Sequence, residues 1–210
     1  MKETSDASKA RDNEERRNRI ARDEKGNILT GAGHFAMGQL YKNASLARLM
    51  ATEEHQQIIQ NWIKGAPCFL TISGVPGTGK TFLSASILNY FFEKNVEIFY
   101  TSHRRLMQFI QTGIAEGRSQ YETLNKVAYK EILILDDLGS GTNTDWQQEM
   151  ILELLDIRYS QKLKTLITSN YDRSELSDYL GNRTASRLYD ANNKYFSMGD
   201  VDNRKIERED

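Results

Sequence analysis

One cysteine, two prolines and no surplus of either charge sign set the first limits on this 210-residue chain. Cys68 alone can close no intramolecular disulfide and build no cysteine zinc module, so a stapled secreted scaffold and a zinc ribbon are both excluded. Lys plus Arg number 28 against 29 Asp plus Glu, which rules out a histone-like polycation but leaves room for a local basic groove. No apolar run approaches the ~20 residues of a membrane helix, and the opening MKETSDASKA lacks the apolar stretch of a signal peptide. The expectation is a soluble, cytoplasmic protein in a reducing compartment with no membrane partner. His34, His55 and His103 are scattered without companions at metal-ligand spacing, which points to surface or supporting roles. What is present, 39% hydrophobic and 27% charged residues, is enough for one globular domain and some tail.

The tail is N-terminal. Eight basic and seven acidic side chains crowd residues 1–25 with almost no apolar surface, so residues 1–40 read as a charged arm and a glycine-containing linker. The arm is either a solvated, fraying helix or a docking segment that folds against a partner. Helical spacing resumes near Tyr41, with Ile58, Ile59, Trp62 and Ile63 on one stripe, and residues 41–210 form the domain. Beyond Gly65, short apolar runs alternate with amphipathic stretches, the pattern of an α/β protein with a mostly parallel sheet. Strands are expected at 68–73, 96–100, 131–136, 164–169 and, more weakly, 195–198. Helices are expected at 81–94, 104–114, 145–159 and 183–189.

Three of the apolar runs end in chemistry. GVPGTGKT, residues 74–81, follows a strand and opens a helix, the setting that G-x-x-x-x-G-K-[ST] requires. Gly74, Gly77 and Gly79 let the backbone turn its N–H groups inward around an anion, with Val75, Pro76 and Thr78 completing the loop and Phe82 beginning the helix. Lys80 neutralises phosphate charge and Thr81 takes a place on Mg²⁺. EILILDD then sets Asp136 and Asp137 at the end of a buried strand, beside that loop in a parallel sheet. Asp136 is expected to hold the Mg²⁺ through its water shell and Asp137 to polarise the water that attacks the γ-phosphate, although DDLGSG is also good turn chemistry. TLITSN closes a further strand on Asn170, whose amide suits orientation of that water. In NRTASRLYD, Arg183 and Arg187 share one helix face, where an arginine serves either a surface ion pair or charge stabilisation on a transferring phosphoryl group.

The order of these motifs resembles that of the AAA+ ATPases of the DnaC and DnaI helicase-loader family, with the IstB transposition helpers as close relatives. The resemblance covers most of the chain, residues 41–205. It implies a P-loop three-layer sandwich with a five-stranded parallel sheet in the order 5-1-4-3-2 and no separate helical lid. Residue by residue, it implies that 74–81 is the Walker A loop, Asp136 and Asp137 the Walker B pair, and Asn170 sensor 1. It also implies that Arg187, in SRL, is an arginine finger serving a neighbouring subunit, and Arg204, in GDVDNRK, a second nucleotide sensor. Many AAA+ proteins carry Glu where Asp137 stands, which suggests slow hydrolysis. The implied function is ATP-dependent loading of a DnaB-type hexameric replicative helicase onto single-stranded DNA, with ATP/ADP and Mg²⁺ as ligands and self-assembly through the in-trans arginine. A transposition helper, a small-molecule kinase and a nucleotide-switched adaptor that does not hydrolyse ATP are the alternatives.

Residues 102–130 carry five basic side chains, Arg104, Arg105, Arg118, Lys126 and Lys130, against Glu116 and Glu122. Phe109, Tyr121 and Tyr129 are interleaved, a composition that suits either a single-strand DNA contact or an ordinary helix face over a core.

Overall fold

The computed structural model describes residues 29–30, 35–36, 41 and 43–200, apart from 50, 66, 67, 95, 97, 142 and 143. Most of the proposed arm therefore lies outside the described residues. Inside the supposed linker, Leu29–Thr30 pairs antiparallel with Phe35–Ala36 as a short ribbon.

The central sheet contains β1 (Phe69–Ser73), β2 (Ile98–Ser102), β3 (Ile132–Leu138), β4 (Lys164–Ser169) and β5 (Lys194–Ser197). All neighbours pair in parallel, in the order β2-β3-β4-β1-β5, which is the expected 5-1-4-3-2 read from the other edge. Its α-helices are α1 (Glu53–Lys64), α2 (Lys80–Glu93), α3 (His103–Ala115), α4 (Gln120–Ala128), α5 (Asp145–Ser160) and α6 (Arg173–Leu188). Strand alternation divides the core in two. Leu133 and Leu135 face the cluster built with α3 to α6, while Ile132 and Ile134 face the cluster that contains Trp62 of α1 and Leu83 and Ile87 of α2. Two helical layers over one sheet make the three-layer sandwich.

Helix α4 and the first half of α6 depart from the expectations. α4 begins at Ser119, whose hydroxyl accepts from Glu122 N, and it lies alongside α5, with Trp146 Nε1 donating to Gln120 Oε1 at 2.9 Å. α6 starts ten residues earlier than expected, at a capping box made by Asp172 and Glu175, and breaks at Gly181 (φ 73°) before resuming into the anticipated segment.

Arg158 is the least expected core residue. It is fully buried, and its guanidinium donates to Ala128 O, Lys130 O, Lys164 O and Thr165 Oγ1 at 2.6–2.9 Å. One side chain thus joins the exit of α4 and the entries of β3 and β4; burial lowers its pKa to about 9. Arg158→Ala is expected to destabilise the protein by about 3 kcal/mol or more, because one buried and two half-buried carbonyls lose their donor and a large core side chain is removed. Arg158→Lys should recover little of this, since one ammonium cannot reach four acceptors; urea unfolding of both variants checks it.

Candidate active site

Among the described residues, five of the six α-helices begin at a Ser, Thr or Asp side chain that accepts a first-turn N–H, and α2 does not. Its N-cap is Gly79, left-handed at φ 98°, so this cap offers the first-turn N–H groups no side-chain acceptor. That is the condition for holding an anion at a helix N-terminus. The loop that leads into it is tightly folded. Gly74 has φ 148°, and a Cβ there would lie 3.1 Å from both Gly199 O and Thr78 Oγ1. Lys80 is buried, with Nζ donating to Gly74 O at 2.6 Å and Val75 O at 2.9 Å across the loop. Pro76 is exposed, Thr78 is buried with its hydroxyl on Val75 O, and Phe82, in the first turn of α2, packs half-buried against the core. Met198 N donates to Ser73 O and Val75 N to Gly199 O, so the chain leaving β5 lies against the same loop. Arg204, five residues on, falls outside the described residues.

On the neighbouring side the β3–β4 register slips. Leu135 pairs with Ile167, but the next pair is Leu138 with Ser169, so β3 carries one extra residue at Asp136–Asp137. Asp137 takes φ 57°, a left-handed conformation that Asp tolerates better than most residues. The bulge is closed by the whole end of β4. Thr168 Oγ1 accepts from Asp137 N at 2.9 Å, Ser169 Oγ donates to Leu138 O at 2.7 Å, and Asn170 Nδ2 donates to Asp137 Oδ1 at 2.9 Å. Asp137 is half-buried and Asn170 exposed, so the expected water-handling pair meets at the rim of the site.

Asp136 turns the other way. Alternation puts it on the α2 face with Ile132 and Ile134, only 3% exposed, where four hydroxyls donate to it. Ser84 (3.1 Å) and Thr168 (2.6 Å) reach Oδ1, and Thr81 (3.1 Å) and Tyr100 (2.8 Å) reach Oδ2. Ser84, Tyr100 and Thr168 were not anticipated as part of this site. Ser84 lies one turn beyond Thr81, a spacing readable from sequence, whereas Tyr100 sits in an apolar run and reads as core. Burial, reinforced by Asp136, raises the Tyr100 phenol far above its usual range and keeps it a donor.

Asp136 and Thr81 offer hard oxygen ligands next to an anion-binding loop, the donor type Mg²⁺ takes, so these residues fit the ion. Among the described residues no group of three or more His, Cys, Asp or Glu could hold a metal, and a magnesium ion here would lean on phosphate and water oxygens. His103 is not on the surface. It is buried at the start of α3, one residue past the Ser102–Asp136 pair of the sheet, and neither ring nitrogen has a partner. Burial lowers its pKa against the opposing pull of Asp137, so the ring is neutral at pH 7. His55 stacks on Phe196 at 4.2 Å.

Arg187 belongs to the opposite rim. Its carbonyl accepts from Asn193 Nδ2 at 2.7 Å, and Asn193 Oδ1 in turn accepts from the N–H of Phe69, the first residue of β1. The length of β1, roughly 13 Å at ~3.3 Å per step, therefore separates it from its own loop. Its guanidinium pairs with Asp156, which also meets Arg183 at 3.5 Å, and lies 5.5 Å from the Tyr159 ring centroid.

The basic residues do not form one stripe. Arg104 and Arg105 open α3 at the rim of the site, Phe109 packs against the core, and Arg118 pairs with Glu116. Tyr121 and Lys126 are exposed on α4, whose C-terminal end lies at the far rim with Tyr129 and Lys130.

A family model described as IstB-like ATP binding protein matches residues 50–190. The chain belongs to this family. The replicative helicase loader DnaC of Escherichia coli K12 is 25% identical over 149 residues, covering 70% of this chain and 60% of that protein. The replicative helicase loader DnaI of Bacillus subtilis 168 is 32% identical over 111 residues, covering 52% of this chain and 35% of that one. A crystal structure of the DnaC helicase loader superposes with a TM-score of 0.66 at 26% identity, over 76% of this chain and 99% of that one. The family and the AAA+ fold expected from the motifs are thus borne out. The chain spans about three fifths of the length of the E. coli relative. Among the described residues no helix is long and apolar enough to cross a membrane.

The bulge makes a test that is independent of function. Thr168→Val keeps the shape but removes a donor from Asp136 and an acceptor from Asp137 N. It is expected to cost about 2–3 kcal/mol in urea unfolding, with Thr168→Ser retaining most of the stability.

Proposed function

We propose that this chain is an ATP-dependent loader that holds a ring-shaped replicative DNA helicase, admits single-stranded DNA and lets go as ATP is hydrolysed. The observation that carries the reading is the pairing of two half-sites on opposite rims of one sheet: the glycine loop with Asp136, Asp137 and Asn170 at one, and Arg187 at the other. The named helicase loaders with which the chain aligns support the partner class.

In this mechanism the loop N–H groups and Lys80 grip the phosphates, and Thr81 and Asp136 would hold a magnesium ion, which would neutralise phosphate charge when bound. Asp137 accepts hydrogen bonding from the attacking water and Asn170 fixes the carboxylate that does so. The aspartate is one methylene shorter than the glutamate common at this position, so turnover is slow. Arg187 cannot reach its own nucleotide. In a neighbour's site it exchanges Asp156 for the developing charge of the transferred phosphoryl group, and hydrolysis then requires assembly. The split basic surface puts Arg104 and Arg105, at the rim of the site, first among the DNA contacts.

The IstB-like family model favours a second reading, a transposition helper with a transposase as its partner. Measuring complex mass with candidate replicative helicases and with transposases, each with and without ATP, separates the two. An ATP-sensitive helicase complex is expected, and binding to transposase alone would replace the loader reading.

The in-trans role has its own test. Lys80→Ala is expected to abolish ATP binding, and Arg187→Ala to preserve binding while lowering assembled turnover on the order of 10³-fold. Mixing the two inactive variants should restore activity, because Lys80→Ala subunits still present an arginine. Mixtures as inactive as either parent would show that Arg187 does not serve a neighbour.

A further inference from the structure

Asp136 would be a poor metal-holding group if its carboxylate were free to rotate, and three of its four donors are poorly suited to stop it. Thr81 is expected to turn a lone pair to the metal, and Ser84 rides on the same first turns of α2. Thr168 is shared with the backbone of Asp137 and reaches only Oδ1. Tyr100 differs. Its ring is anchored in β2 within the α2-face core, its backbone pairs with Ile134 two residues below Asp136, and its phenol reaches up to Oδ2 at 2.8 Å. Oδ2 is the oxygen that also receives Thr81, and so the one on the metal side. A phenol has one proton to give and no rotatable bond other than C–O beyond the ring, so it defines the direction of the lone pairs left on that oxygen.

We infer that Tyr100 is a positioning residue for the divalent cation, holding Oδ2 of Asp136 in the orientation that receives the metal's water shell. The inference rests on the ATP reading but concerns a residue which that reading does not use. Groups that orient metal ligands from behind commonly account for 10–100-fold in metal affinity.

Tyr100→Phe removes one oxygen, keeps the buried ring and leaves Asp136 three donors, so the fold is retained; the ligand-free unfolding midpoint verifies this. Binding of a fluorescent ATP analogue is then measured in EDTA and across a magnesium titration. The variant is expected to bind the analogue in EDTA as the wild type does but to need about tenfold more magnesium for half of the metal-dependent gain. Electron paramagnetic resonance of Mn²⁺ with ATP should show the same weakening directly. Ser84→Ala, which frees only Oδ1, should shift the magnesium requirement less than Tyr100→Phe. An unchanged requirement in Tyr100→Phe overturns the inference alone, as does a shift no greater than that of Ser84→Ala. Equal loss in EDTA and in magnesium also overturns it, by making Tyr100 a general structural support. A wild type whose nucleotide binding ignores magnesium removes the parent reading and this one together.

Discussion

Asp136 is a carboxylate withdrawn from water and surrounded by hydroxyls, and the architecture around it can be read as the means of keeping it there. A buried ionisable group needs its acceptor sites filled. The four donors come from α2, β2 and β4, three elements far apart in sequence and brought together only by the strand order. The same order places the glycine loop, at the end of β1, with only β4 between it and the strand of Asp136. The site is therefore a property of the sheet, and a change in the pairing of β3 with either neighbour would dissolve it.

The bulge divides labour between two adjacent aspartates. In a regular strand Asp136 and Asp137 would point to opposite faces of the sheet. The extra residue and the left-handed backbone at Asp137 hold one carboxylate inside, on the hydroxyl cluster, and leave the other at the rim on Asn170. The left-handed conformation costs on the order of 1 kcal/mol, and the side chains of Thr168, Ser169 and Asn170 offset it by satisfying the groups that the slipped ladder leaves unpaired.

Much of this was legible in the sequence because it is local. The glycine loop declares itself by spacing, β4 by an apolar run with sharp ends, and the aspartate pair by its place at the end of a strand. What the sequence conceals is non-local or ambiguous. Tyr100 has the residue type of a core aromatic, and its hydroxyl acquires meaning only when β2 pairs with β3. Arg158 sits on a helix face whose other members are apolar, and its acceptors lie up to 30 residues away. Helix α4 mixes charges and tyrosine in a composition that also suits a binding surface, although Ser119, Leu124 and Val127 carry a cap and an apolar stripe. His103 has no companion at metal-ligand spacing in the sequence, and only the fold brings it within reach of the Asp137 charge.

If Arg187 serves a neighbour as proposed, its tether through Asn193 to the first residue of β1 also constrains geometry beyond one subunit. A strand has two different ends, and here the glycine turn occupies one while the arginine is fastened near the other. Copies related by a two-fold axis through matching rims would bring arginine to arginine and leave each triphosphate cleft unserved. Only a contact of head-to-tail type, repeated in one sense, lets each guanidinium meet a cleft. Such a row has a direction, and if it does not close into a ring its last cleft waits for the next arrival.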